Sequence, residues 1–80
     1  MAKRPIVAVV DDDESVRESL PDLLKQLGFT ARAFSSPKEF LASDFFRETD
    51  CLILDVAMKG MNGPELQTEL KRLGSNIPII

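Results

Sequence analysis

The chain has 80 residues, of which 44% are hydrophobic, and 10 Lys and Arg against 13 Asp and Glu give it a formal net charge of -3. That length fits one domain, and the scattered basic residues form no patch for nucleic acid or a membrane surface. Histidine is absent, which excludes imidazole chemistry, and the single cysteine, Cys51, excludes an internal disulfide and a cysteine-based zinc site.

Residues 6–10, IVAVV, form a β-branched-rich run of the kind that makes a strand covered on both faces. From Ser15 the spacing becomes helical, with Val16, Leu20, Leu23, Leu24 and Leu27 on one face and Arg17, Glu18, Asp22 and Lys25 mostly opposite. Asp12 or Asp13 can cap this helix and Gly28 can end it. Pro21 removes a backbone donor inside the helix and predicts a local kink. A short strand is expected at 30–34. Ser36-Pro37-Lys38-Glu39 then reads as a helix start, with Ser36 as cap, Pro37 as first helical residue and Glu39 as the back-bonding partner. Phe40 and Leu41 are its inward residues.

Residues 51–54, CLIL, predict a third strand. Gly60–Gly63 supply a loop, and Pro64 opens a third helix with Leu66, Leu70 and Leu73 inside and Gly74 as its stop. Asn76-Ile77-Pro78-Ile79-Ile80 reads as the entrance to a fourth strand. The order βαβαβαβ implies a parallel, doubly wound sheet with right-handed connections, all within one unit spanning 1–80.

In such a sheet ligands bind beyond the carboxyl ends of the strands, and in the flavodoxin-like order the first and third strands flank that point. Neighbouring strands lie about 4.8 Å apart, so Asp11, Asp12 and Asp55 are expected to project into one small space. Taken singly, the DDDE run is a helix cap in a solvated loop, and Asp55 is a strand-end turn residue. Their joint occurrence at the ends of strands one and three points instead to a hard divalent cation. Mg²⁺ fits best, because it takes one or two carboxylates and keeps several waters. Asp55 is then placed to attack a phosphoryl group.

VVDDDESVRESL followed by LILDVAMKGMNGPEL resembles the receiver domains of two-component response regulators, particularly the FixJ-type subfamily that precedes a DNA-binding helix-turn-helix. The resemblance implies a flavodoxin-like (CheY-like) fold and a phosphoacceptor role for Asp55. It further implies that Asp12 is the direct Mg²⁺ ligand, Asp11 its water-linked partner and the Ala57 backbone carbonyl another ligand. The partner implied is a histidine kinase, and the domain is a phosphoacceptor rather than a turnover enzyme. Two groups that the resemblance implies, the hydroxyl residue ending strand four and the lysine ending strand five, are absent from 1–80. Lys59, where the family commonly has proline, is expected to be a solvated loop residue. On this reading 1–80 is a truncated receiver, incomplete after the start of strand four.

With one helix to cover one sheet face and IPII as an apolar edge, a homo-oligomer through the uncovered face or the strand-four edge is expected. A non-phosphorylated module acting by oligomerisation or protein–protein interaction is the alternative. A metal-dependent phosphotransferase or phosphatase of another α/β family is a third, for which Asp11-x-Asp13 formally fits. No nucleic acid or membrane partner is expected of this chain itself. The lone cysteine suits a cytoplasmic location, and MAKRPIVAVV is too short in apolar residues for a signal sequence or span.

Overall fold

The structure is a computed structural model, and it describes residues 4–55 and 63–79. The elements are β1 (Ile6–Val10), α1 (Glu14–Gln26), β2 (Thr30–Phe34), α2 (Pro37–Ala42), a 3₁₀ turn at Phe45–Arg47, β3 (Cys51–Leu54) and α3 (Gly63–Arg72). The strands are parallel in the order β2-β1-β3, with Val10 opposite both Phe34 and Leu54. Of the predicted fourth strand the described residues show an isolated parallel bridge, Leu52 to Ile79, with the Leu52 N–H donating to the Pro78 carbonyl at 2.9 Å. This is the central part of a flavodoxin-like sheet, with β1 and β3 adjacent as the sequence predicts.

Alternation along the strands sorts the two faces. Ala8, Val10, Phe34, Leu52 and Leu54 point to one side and pack with Phe40, Phe45, Phe46, Leu66, Leu70 and Ile77. Arg32 closes the rim of that cluster, its guanidinium 5.1 Å from the centre of the Phe45 ring. On the other side Val7, Val9 and Ala31 are buried beneath α1, which packs on β2 and β1. The start of the sheet is tied by Asp50, whose carboxylate accepts from the Ile6 N–H at 2.8 Å while its own N–H donates to the Ile6 carbonyl.

Helix ends follow the predicted signals. Asp13 caps α1 by accepting from the Ser15 N–H at 2.8 Å, and Gly28 and Gly74 leave their helices at φ of 97° and 81°. α1 runs unbroken through Pro21, which is buried. Ser36 caps α2, accepting from the Glu39 N–H at 3.1 Å. The reciprocal bond of the capping box is displaced by one residue, because Glu39 accepts from the N–H and the hydroxyl of Ser35 rather than from the cap itself. Those bonds, the hydroxyl first, hold the Glu39 carboxyl below its ordinary value. A depressed carboxyl stabilises the fold at pH above its unfolded value and loses that contribution as pH falls through the folded value. Ser35→Ala is therefore expected to move Glu39 up toward 4.5 in an NMR titration of the side-chain carbonyl. An unmoved Glu39 would show that the hydroxyl is not the cause.

The predicted apolar stripe of α1 is not all inward. Val16, Leu20 and Leu24 are partly buried, but Leu23 is 52% exposed and Leu27 65%. Leu73, predicted inside α3, is 44% exposed, whereas Leu66 and Leu70 are fully buried. α1 lies over β2 and β1, leaving Cys51 and Ile53 of β3 half-buried on the same face. Among the described residues no helix other than α1 packs on that face. Of the predicted loop at 60–63, residues 60–62 lie outside the described residues, and Gly63 is already the first residue of α3, one before the expected Pro64.

Candidate metal centre

Asp11 and Asp55 each follow the last residue of a strand, and the backbone holds both in place. The Asp11 N–H donates to the Phe34 carbonyl and the Asp55 N–H to the Val10 carbonyl, each at 3.1 Å. These bonds extend the β1–β2 and β1–β3 ladders one step past the strands, so the two acids leave the sheet side by side. Val10 and Leu54, the residues just before them, are anchored in the core. One carboxylate oxygen from each of Asp11, Asp12 and Asp55 falls in a group whose members all lie within 4.8 Å of one another. Asp11 and Asp55 are partly buried and Asp12 is exposed.

Asp13 is engaged elsewhere as the α1 cap, and its N–H donates to the Asp11 Oδ1 at 2.9 Å. That separates the roles within the acidic run: Asp13 builds the helix start, while Asp11 and Asp12 face Asp55. The donor set is all carboxylate oxygen and open to solvent on one side, which fits a small hard cation that retains water. Cys51 is no part of it. It stands at the opposite end of β3, about 13 Å from Asp55 at the usual rise per residue. Ala57, predicted to lend a carbonyl, and Lys59 lie outside the described residues.

Helical spacing places Arg17 mostly opposite the apolar face of α1. It is instead partly buried, and its Nη1 donates to the Asp11 carbonyl at 3.0 Å. Periodicity misses it because a long side chain in a first helical turn can reach back over the helix start. Its place six residues after Asp11, in the turn following an acidic loop, was the available signal.

A parallel α/β sheet with acids clustered at the ends of its first and third strands is the arrangement expected of a receiver domain. The sequence profile described as the response regulator receiver domain matches residues 7–80. Nodulation protein W of Bradyrhizobium diazoefficiens is 47% identical over 96% of this chain and 34% of that protein. Transcriptional regulatory protein FixJ of Azorhizobium caulinodans is 38% identical over 92% of this chain and 35% of that protein. Among solved structures, the response regulator StyR superposes with a TM-score of 0.83 at 44% identity, covering 98% of this chain and 39% of that one. The chain belongs to the response regulator receiver domain family. It spans about a third of the length of the curated relatives it matches.

Proposed function

We propose that this chain is a phosphoacceptor module in which Asp55 takes a phosphoryl group from the phosphohistidine of a histidine kinase. The observation that carries this is the meeting of the Asp11, Asp12 and Asp55 carboxylates at the ends of adjacent strands. An Asp55 oxygen attacks phosphorus, the phosphorus–nitrogen bond to the donor histidine breaks, and an aspartyl phosphate forms. Asp12 would hold Mg²⁺ directly and Asp11 through a water, with Asp55 and the Ala57 carbonyl completing the protein's share. The ion, when bound, would offset the charge on the transferring oxygens. The Asp55 N–H bond to the Val10 carbonyl holds the root of this side chain at the strand end, beside Asp11.

The FixJ-type likeness supports a place in a transcriptional regulator acting in the cytoplasm, with DNA contacts made by other parts of such a protein. Among the described residues no helix is long and apolar enough to cross a membrane. Intact-mass spectrometry after incubation with acetyl phosphate and Mg²⁺ tests the proposal. One phosphoryl adduct is expected with Mg²⁺ and none with EDTA. A folded protein that gains no adduct would favour the alternative of an interaction module.

That second reading has its own observation, the exposed Leu23 and Leu27 of α1 together with Cys51 and Ile53, half-buried on the sheet face that α1 leaves partly open. We propose that a second copy covers this face, because each large aliphatic side chain brought out of water contributes about 1.5–3 kcal/mol. The strand-four edge at Ile79 is the other route to the same assembly. Sedimentation velocity is expected to show a dimer that Leu23→Lys with Leu27→Lys dissociates. A monomer at all concentrations would end this reading.

A further inference from the structure

Asp11 is fastened at three points, two on its backbone and one on its side chain. Its N–H reaches the end of β2, its Oδ1 takes the Asp13 N–H, and its carbonyl takes the Arg17 guanidinium. The last of these has a consequence for the site proposed above. The Asp11 carbonyl belongs to the peptide plane joining Asp11 to Asp12. Fixing that plane fixes ψ of Asp11 and φ of Asp12, and with them the directions in which the two carboxylates leave the chain. Arg17 is well placed to do so. It sits in the first turn of α1, which Asp13 caps, and its own N–H donates to the Asp13 carbonyl at 3.1 Å. It is partly buried, so its bond to the carbonyl is sheltered from competing water.

We propose that Arg17 is a positioning residue for divalent-cation binding, clamping the Asp11–Asp12 peptide so that both carboxylates converge with Asp55. This rests on the metal-site reading above. Metal sites tolerate only small departures from productive geometry, and residues that orient ligands typically change affinity 10–100-fold when replaced. The sign of the effect separates a clamp from a charge. A cation near the site repels Mg²⁺ through space, so if Arg17 acted only as a charge its removal would tighten binding. Loss of the clamp weakens it.

The test is a Mn²⁺ titration of the full chain followed by electron paramagnetic resonance, with metal-free circular dichroism as the control for folding. Arg17→Met, which has no donor, and Arg17→Gln, whose amide N–H is two bonds shorter than the guanidinium and falls short of the carbonyl, are each expected to bind Mn²⁺ roughly tenfold more weakly. Arg17→Lys, whose ammonium can still donate to the carbonyl, is expected to stay within about threefold of the parent. Two such variants keep the test alive if one fails to fold. A folded Met or Gln variant that binds like the parent or tighter overturns the proposal, and so does a Lys variant as weak as the other two. A parent chain that binds no Mn²⁺ overturns the metal-site reading itself, which is a separate result.

Discussion

Asp55→Ala is expected to abolish the phosphoryl adduct altogether while leaving the fold intact. Asp55 lies one residue past β3 and outside the apolar cluster, so its truncation removes no core contact. What it removes is the carboxylate proposed as nucleophile and one of the three acids that meet within 4.8 Å. Asp11 and Asp12 remain, but on the proposed assignment they serve the cation. Asp55→Asn keeps the shape and removes the charge, and is expected to give the same loss. Intact mass after acetyl phosphate and Mg²⁺ reads both variants, with circular dichroism to confirm folding. A persisting adduct in either variant would move the phosphoacceptor to another residue, and peptide mapping would find it.

The largest stability effect is expected from Phe40→Ala. Phe40 is fully buried at the centre of the α2 side, edge-on to Phe34 at 5.4 Å and to Phe46 at 6.4 Å between ring centres. Truncating a buried phenylalanine costs about 3–5 kcal/mol through lost transfer energy and the cavity left behind. Stabilities of about 0.05–0.15 kcal/mol per residue give a chain of this size little to spare. Each kcal/mol shifts the melting temperature of a domain this small by about 4–8 °C, so a fall of at least about 12 °C, or outright unfolding, is expected in a thermal melt. The site fails with it, since Val10 and Leu54 belong to the same cluster and hold the roots of Asp11 and Asp55. A melt within a few degrees of the parent would mean that the core collapses around the gap.

What the sequence revealed follows from how local each signal is. IVAVV and CLIL are continuous apolar runs, and a strand flanked by helical crossovers has few other readings. Ser36-Pro37-Lys38-Glu39 carries its own capping chemistry and sits where that chemistry predicts, apart from the shift of the back-bond to Ser35. Asp11 and Asp55 were legible together because strand order fixes which ends meet. The 3₁₀ turn was not, because an element of three residues is too short for any period to show. The exposure of Leu23 and Leu27 was hidden for a different reason. Periodicity shows which residues share a helix face but not how much of that face its neighbours cover. Arg17 was hidden because its partner is a backbone carbonyl, so that only its place just after the acidic loop hinted at it.

Cys51 gives this chain an internal gauge. It is the only thiol, it is half-buried, and alternation along β3 puts it on the α1 side of the sheet. Its alkylation rate therefore measures how often one particular surface meets solvent, with no second cysteine to confuse the count. Pairing through that surface would make the rate fall as protein concentration rises, whereas pairing along strand four would leave it constant. A single stopwatch on one sulfur can thus tell which side of the sheet a second copy occupies.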